Sequence, residues 1–266
     1  MRVRREDAEV VLAELLELAP SGVEQVDLGD LVEYAVYGAP GELPVLPDLR
    51  AAAGEALVEI ATSEVGDDWA ERWREFHVPL VIGDVLSVRP PWERPGRTRL
   101  DVVIDPGRAF GTGAHATTRL CLELMLDLPA RGGLTDLGCG SGVLAIVGAK
   151  LGFAPVTALD NDRLALEATA ANAEANRVEV AVVGADLRRE RVALAETVVA
   201  NLLGPLLCSW ARALSEEPAA RRPSVVIAGG LLEEEADAVV EEFAPLGLRE
   251  RERRFSGGWA ALLLGA

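Results

Sequence analysis

Asp136-Leu137-Gly138-Cys139-Gly140-Ser141-Gly142 is the stretch of this chain best equipped for chemistry. It follows an apolar run and opens an apolar helical segment, Val143 to Leu151. Asp160 closes the next apolar run, Ala154 to Leu159. A strand that ends in a glycine turn lets a ligand approach the backbone, because no side chain stands in the way. The spacing decides which ligand. A dinucleotide fingerprint, G-x-G-x-x-G/A, needs a small residue at position 143, and Val143 stands there. The third glycine comes one residue early, at Gly142, which disfavours a nicotinamide oxidoreductase.

Three further positions share this setting. Asp160, Gly184-Ala185-Asp186 and Asn201 each end an expected strand, as Asp136 does. In an open α/β sheet a ligand sits beyond the carboxyl ends of the strands, near the point where strand order reverses. Taken singly, these positions read as a glycine turn, a capping Asp, a loop Asp and a turn Asn. A bound small molecule accounts for all four together.

Periodicity supplies the elements that must hold them. Ala8 to Leu18 carries an amphipathic helix pattern, stopped by Pro20-Ser21-Gly22. Val23 to Tyr37 alternates as two short strands around Gly29-Asp30. Asp48 can cap a short helix through Ala53, and Leu57 to Thr62 reads as a strand. This order fits a small α+β domain over residues 1–62, of the ferredoxin-like split βαβ kind. Its first strand must come from Met1 to Arg4, which is very short, so either the domain is incomplete or the true start lies upstream. Residues 63–83 form a connection, with a linker helix from Asp67 to Phe76 carrying Trp69 and Trp73.

Residues 84–266 make the larger domain. Val85–Val88 and Leu100–Ile104 read as strands, followed by a loop from Asp105 to Gly113 and a helix from about His115 to Leu126. Strands then end at Leu137, Asp160, Val183 and Asn201, with helices after Gly142, at Arg163–Ala175 and at Leu206–Leu214. Strand Ser224–Ala228, helix Leu232–Phe243 and a terminal hairpin, Leu248–Arg253 with Trp259–Leu264, complete it. The alternation calls for a mostly parallel sheet with helices on both faces, a Rossmann-like α/β architecture.

The form D-x-G-x-G-x-G, with an acid closing the next strand, resembles the class I methyltransferases that use S-adenosyl-L-methionine. A closer resemblance lies upstream. Phe110-Gly111-Thr112-Gly113-Ala114-His115-Ala116-Thr117-Thr118 is similar to the F-G-T-G-T-H-P-T-T signature of the PrmA family. That family's D-x-G-C-G-S-G-x-L-A-I matches Asp136 to Ile146, and its A-N-I-L-A is similar to Ala200-Asn201-Leu202-Leu203-Gly204. Trp69, Trp73 and Val78 to Gly83 echo a further W-x-x-x-W and K-P-x-x-I-G pair. The resemblance runs from about residue 65 to the end, in the family's order. Ala114, Ala116, Leu202 and Gly204 depart from the pattern, touching shape more than chemistry.

The resemblance implies a protein N-methyltransferase acting on lysine side chains or the N-terminal α-amine of ribosomal protein L11. S-adenosyl-L-methionine is the implied cofactor and S-adenosyl-L-homocysteine the product. Thr117, Gly138, Asp160 and Asn201 then correspond to cofactor contacts, with Asp136 heading their motif. Gly138 and Gly140 would open the backbone to the methionine and ribose portions. Asp160 suits two ribose hydroxyls, and Asp186 the adenine amino group. Asn201 could also orient the acceptor amine. Phe110 could wall the acceptor site, or serve the core; His115 could touch the substrate, or act structurally. Thr117 and Thr118 could instead satisfy free N–H groups at a helix start. In the family the N-terminal domain chooses the protein substrate.

Composition narrows the setting. The net charge of −17 argues against direct nonspecific binding to nucleic acid. Residues 1–70 hold 4 basic and 16 acidic residues, so most of the excess acid lies in the first quarter of the chain. That is either a solvated surface or a docking surface for a basic protein partner. The basic N-terminus is not followed by the apolar core of a signal peptide, and no apolar run is long enough to cross a membrane. Cys121, Cys139 and Cys208 are scattered and odd in number, which reads as a reduced, cytoplasmic protein without a zinc site. No long unmatched apolar helix face calls for a partner copy, so a monomer is expected.

Other readings remain open: the same chemistry on another protein or a small amine, or a non-catalytic cofactor-binding module at the ribosome. A glutamine methyltransferase would show Asn-Pro-Pro-Tyr where Asn201-Leu202-Leu203-Gly204 stands.

Overall fold

The computed structural model describes residues 1–8, 11–12, 15, 18, 23–36, 43–62, 78–106, 115–218 and 222–266. The chain forms two compact units, Met1–Ala70 and Glu71–Ala266.

The first unit holds β1 (Arg2–Arg4), β2 (Glu24–Asp27), β3 (Leu31–Ala35), α1 (Leu46–Ala53) and β4 (Leu57–Glu59). Described positions 8, 11, 12, 15 and 18, between β1 and β2, are helical. The strand order is β2-β3-β1-β4, with every neighbouring pair antiparallel. This is the split βαβ arrangement expected from the sequence, and its first strand is indeed only three residues long. Its core gathers Val3, Val11, Leu15, Val32 and Tyr34, and the buried Tyr34 hydroxyl donates to the Ala8 carbonyl at 2.7 Å. The helix start differs from expectation. α1 begins at Leu46 and its N-cap is Val45, not Asp48. Pro47 explains this, because its fixed φ and missing N–H suit the first helical turn.

The second unit opens with a three-stranded sheet, β5 (Leu80–Ile82), β6 (Leu86–Arg89) and β7 (Leu100–Val103). β5 falls within the 63–83 stretch read from sequence as a connection. Across the parallel β6–β7 pair, the buried Arg89 clamps Asp101 with two bonds of 2.8 and 2.7 Å, while its third nitrogen donates to the Glu93 carbonyl. This fixes the Pro- and Arg-rich loop between the strands. The linker helix expected at Asp67–Phe76, with Trp69 and Trp73, lies outside the described residues, as does the loop 107–114 that contains Phe110.

The larger sheet is built from β8 (Leu134–Leu137), β9 (Val156–Asp160), β10 (Ala181–Gly184), β11 (Thr197–Asn201), β12 (Val225–Leu232), β13 (Arg249–Ser256) and β14 (Trp259–Gly265). Its order is β10-β9-β8-β11-β12-β14-β13. The first five strands run parallel, and β14 runs antiparallel to both of its neighbours. Strand order reverses between β8 and β11, so the crevice between their carboxyl ends is the ligand position for this architecture.

Helices α2 (Ala116–Asp127), α3 (Val143–Leu151) and α4 (Arg163–Asn176) share one core cluster; α5 (Gly204–Ser215) and α6 (Ala236–Phe243) share the other. β11 shows why two cores form: Val198 and Ala200 join one cluster while Val199 joins the other, the period-two alternation of a strand buried on both faces.

Candidate active site

The glycine turn follows β8 directly. Gly138 and Gly140 adopt φ of 72° and 53°, the left-handed region that side chains resist. A Cβ at Gly138 would collide with the Leu202 side chain. The turn is tied to the end of β9 by three main-chain donors. The Gly138 and Cys139 amides donate to the Leu159 carbonyl at 2.8 and 3.0 Å, and the Gly140 amide donates to Asp160 Oδ2 at 2.9 Å. Asp160 Oδ1 accepts from the Asp162 amide at 3.0 Å. Both carboxylate oxygens are thereby oriented, and each keeps further acceptor capacity.

The contacts continue from strand end to strand end. The Ala185 amide donates to the Asp160 carbonyl at 2.9 Å, placing Asp186 next along the chain. Asp186 Oδ1 accepts from the Arg188 amide at 3.0 Å, and Oδ2 lies 3.4 Å from Arg189 Nε. On the other side, Leu202 closes against Gly138, so the residue after Asn201 touches the turn after Asp136. Asn201 Nδ2 donates to Thr118 Oγ1 at 3.3 Å, which joins β11 to the first turn of α2. The sequence-identified positions Asp136, Gly138, Gly140, Asp160, Asp186 and Asn201 therefore lie at or just beyond the carboxyl ends of adjacent parallel strands.

At the start of α2 the capping differs from expectation. His115 is the N-cap: its Nδ1 accepts from the Thr117 amide at 3.4 Å and lies 2.9 Å from Thr117 Oγ1. An accepting Nδ1 places the ring proton on Nε2. Thr117 and Thr118 are buried, and their hydroxyls meet His115 and Asn201 instead of capping the helix. The His115 ring also stands edge-on to Trp259, with centroids 5.1 Å apart at 72°. Burial pulls the His115 pKa down from its ordinary value, favouring the neutral ring.

Two buried oxygens have no partner among the described residues: Asp136 Oδ1 and Asn201 Oδ1. Asp136 Oδ2 accepts from the Ala145 amide at 3.0 Å. Burial pushes the Asp136 pKa up to about 7, the Ala145 bond opposes this, and the Asp160 charge adds to it. The Cys139 thiol is pushed up to about 12, chiefly by burial, so it is no thiolate nucleophile near neutral pH. Among the described residues no cluster of His, Cys, Asp and Glu could hold a metal, and no helix is long and apolar enough to cross a membrane.

Thr169 and Asn172 of α4 escape a motif search, yet both grip the turn. Thr169 Oγ1 donates to the Gly140 carbonyl at 3.0 Å, and Asn172 Nδ2 to the Ser141 carbonyl at 2.9 Å. The available signal was polar residues three apart on one face of an Ala-rich helix.

Comparisons with known proteins converge. A family model described as ribosomal protein L11 methyltransferase (PrmA) matches residues 49–265. The ribosomal protein L11 methyltransferase of Pelotomaculum thermopropionicum is 42% identical over 202 residues, covering 74% of this chain. This chain spans 65% of the length of that relative. The Synechococcus sp. protein of the same name is 35% identical over 237 residues, covering 81% of this chain and 78% of its own. Among solved structures, ribosomal protein L11 methylase from Lactobacillus delbrueckii subsp. bulgaricus aligns with a TM-score of 0.63 at 25% identity, over 70% of this chain and 97% of that one.

Proposed function

The chain belongs to the ribosomal protein L11 methyltransferase family, PrmA, and on that premise we propose that it transfers methyl groups from S-adenosyl-L-methionine to amines of ribosomal protein L11. The acceptors are lysine side chains, the N-terminal α-amine, or both. The observation that carries the reading is the Gly140–Asp160 hydrogen bond at 2.9 Å, which joins the two halves of the cofactor motif.

The residues present fit the cofactor. Gly138 and Gly140 hold the left-handed turn that brings backbone to the site, the side-chain space at Gly138 being taken by Leu202, and Asp160 has acceptor capacity for two ribose hydroxyls. Asp136 and Thr117 are assigned to the cofactor site as well, and Asp186 to the adenine amino group. When bound, S-adenosyl-L-methionine supplies a methyl group already activated by its sulfonium. The protein's task is alignment, so positioning supplies much of the rate.

A lysine acceptor must first lose its proton. From a reference pKa of about 10.4, neutralisation near pH 7 costs on the order of 4 to 5 kcal/mol. An acidic pocket would raise that cost, and burial, by raising the Asp136 pKa to about 7, reduces the negative charge that this carboxyl carries near neutral pH. Asn201 is assigned the role of accepting an N–H and turning the lone pair toward the methyl group; its Oδ1, buried and unpartnered among the described residues, supports that assignment. Phe110 and His115 are assigned to the acceptor side, where an aromatic face suits a methylated ammonium. The acid-rich first unit would draw in a basic substrate. We place the enzyme in the cytoplasm as a monomer, acting on protein and not directly on nucleic acid or membrane.

One observation favours a second reading, the same transfer to another protein or small amine: residues 1–48 lie outside the matched family range. Incubation with labelled cofactor and purified ribosomal protein L11, followed by peptide mass spectrometry, tests the choice. Methylated lysine or α-amine is the expected product. An unmodified ribosomal protein alongside demonstrable cofactor binding would reject this substrate.

A further inference from the structure

Helix α4 carries three buried polar residues, Thr169, Asn172 and Asn176. Their spacing of three and four places them on one face, where each must find partners. Among the described residues, the Thr169 hydroxyl bonds the glycine turn, through the Gly140 carbonyl and Cys139 Sγ. Asn176 reaches the main chain of β7: its Oδ1 accepts from the Val103 amide at 2.9 Å, and its Nδ2 donates to the Val103 carbonyl at 2.6 Å. It also donates to the Asn172 carbonyl.

Asn172, only 3% exposed, does both. Its Oδ1 accepts from the Asp105 amide at 2.9 Å, and its Nδ2 donates to the Ser141 carbonyl at 2.9 Å. One partner is an N–H and the other a carbonyl, so the carboxamide cannot be turned over without losing both bonds. Ser141 belongs to the glycine turn. Asp105 follows β7 and begins the segment that leads to His115, Thr117 and Thr118.

We propose that Asn172 is a positioning residue that sets the register between the cofactor turn and the root of the acceptor-side segment. This rests on the methyltransferase reading above. The turn keeps other ties, from Gly138, Cys139 and Gly140 to the end of β9. Loss of Asn172 therefore falls on alignment more than on cofactor affinity.

Two variants separate the parts. Asn172→Ala removes both bonds. Asn172→Asp keeps an acceptor for the Asp105 amide but cannot donate to Ser141 when ionised, so it cuts the bridge while leaving β7 anchored. Both should lower kcat about tenfold or more, while the Kd for S-adenosyl-L-methionine stays within about threefold. Hydrogen exchange supplies a readout that a merely structural role would not move. In the wild type, cofactor addition should slow exchange at residues 138–142 and also at 103–105. In either variant only 138–142 should respond. Wild-type kcat in both variants, or cofactor protection of 103–105 that persists in them, would overturn the proposal. A wild-type protein that neither binds the cofactor nor transfers methyl groups would instead overturn the reading beneath it.

Discussion

Asp136 sits beneath the glycine turn with no exposed surface, and burial governs its ionisation. Its pKa is raised in the folded protein to about 7. A raised carboxyl pKa means that the folded state holds the proton more tightly than the unfolded chain. The stability this gives is fully present below the unfolded pKa, near 4, and is lost as pH rises through 7. Asp136→Asn removes the penalty of a buried charge. The variant should be more stable than wild type at pH 7 to 8, by at most about 4 kcal/mol, with the gain largely gone by about pH 4. Thermal denaturation across that range checks it; a gain that grows toward low pH would contradict the assignment. At this scale the sequence is legible where chemistry and position coincide. Asp160 and Asn201 are visible because each ends an apolar run. Asn172 and Asn176 are not, because they bond main-chain atoms 31, 67 and 73 residues away.

The elements follow from periodicity where it is strong and drift where another interaction decides. Thr197–Asn201 is the strand that its alternation implies. β10 begins at Ala181, later than the Val178 start expected, because Val178 donates back to Ala173 and closes α4, while Val178 and Val180 pack on the core instead of pairing. β12 runs on past Ala228 to Leu232, through Gly229-Gly230, which reads as a break in sequence. A register shift between Ala228 and Leu231 absorbs the glycines, and pairing to Ala260 and Trp259 resumes. β5 offers only three residues and no alternation to read.

The departure at Gly204 also has a physical cause at this scale. A Cβ there would lie 2.8 Å from the carboxylate of Glu235, which accepts from the Leu232 amide at 2.9 Å. Gly204→Ala should displace that flexible carboxylate and cost at most about 1 kcal/mol, up to roughly 2 to 4 °C in Tm. In a Glu235→Ala background the same change should cost nothing, a coupling that a double-mutant cycle measures. Equal losses in both backgrounds would show that the two residues are independent.

For the whole molecule, the net charge of −17 is concentrated in residues 1–70, and on the proposed function that acid should steer a basic protein substrate toward the enzyme. Raising the salt from about 0.05 to 0.3 M shortens the screening length from more than 10 Å to less than 8 Å. The KM for ribosomal protein L11 should rise several-fold, while kcat changes little. Steady-state kinetics at fixed saturating cofactor tests this; a salt-independent KM would assign the acid to solvation alone. The two-unit organisation is legible in the sequence because the hydrophobic pattern changes from short hairpin strands to alternating strand and helix near residue 80. The order of the larger sheet is not, since β14 inserts between β12 and β13 through pairings that no local pattern encodes.

The proposed cofactor site requires four strand ends to act together, with the Asp160 carboxylate holding the ribose. Calorimetric titration of S-adenosyl-L-methionine into wild type and Asp160→Ala tests that claim most directly. Binding of one cofactor per wild-type chain is expected, and binding about a hundredfold weaker or more in the variant, since two hydrogen bonds to a charged group and the anchor of Gly140 are lost together. Equal affinity in the two proteins, or no binding to either, would contradict the account.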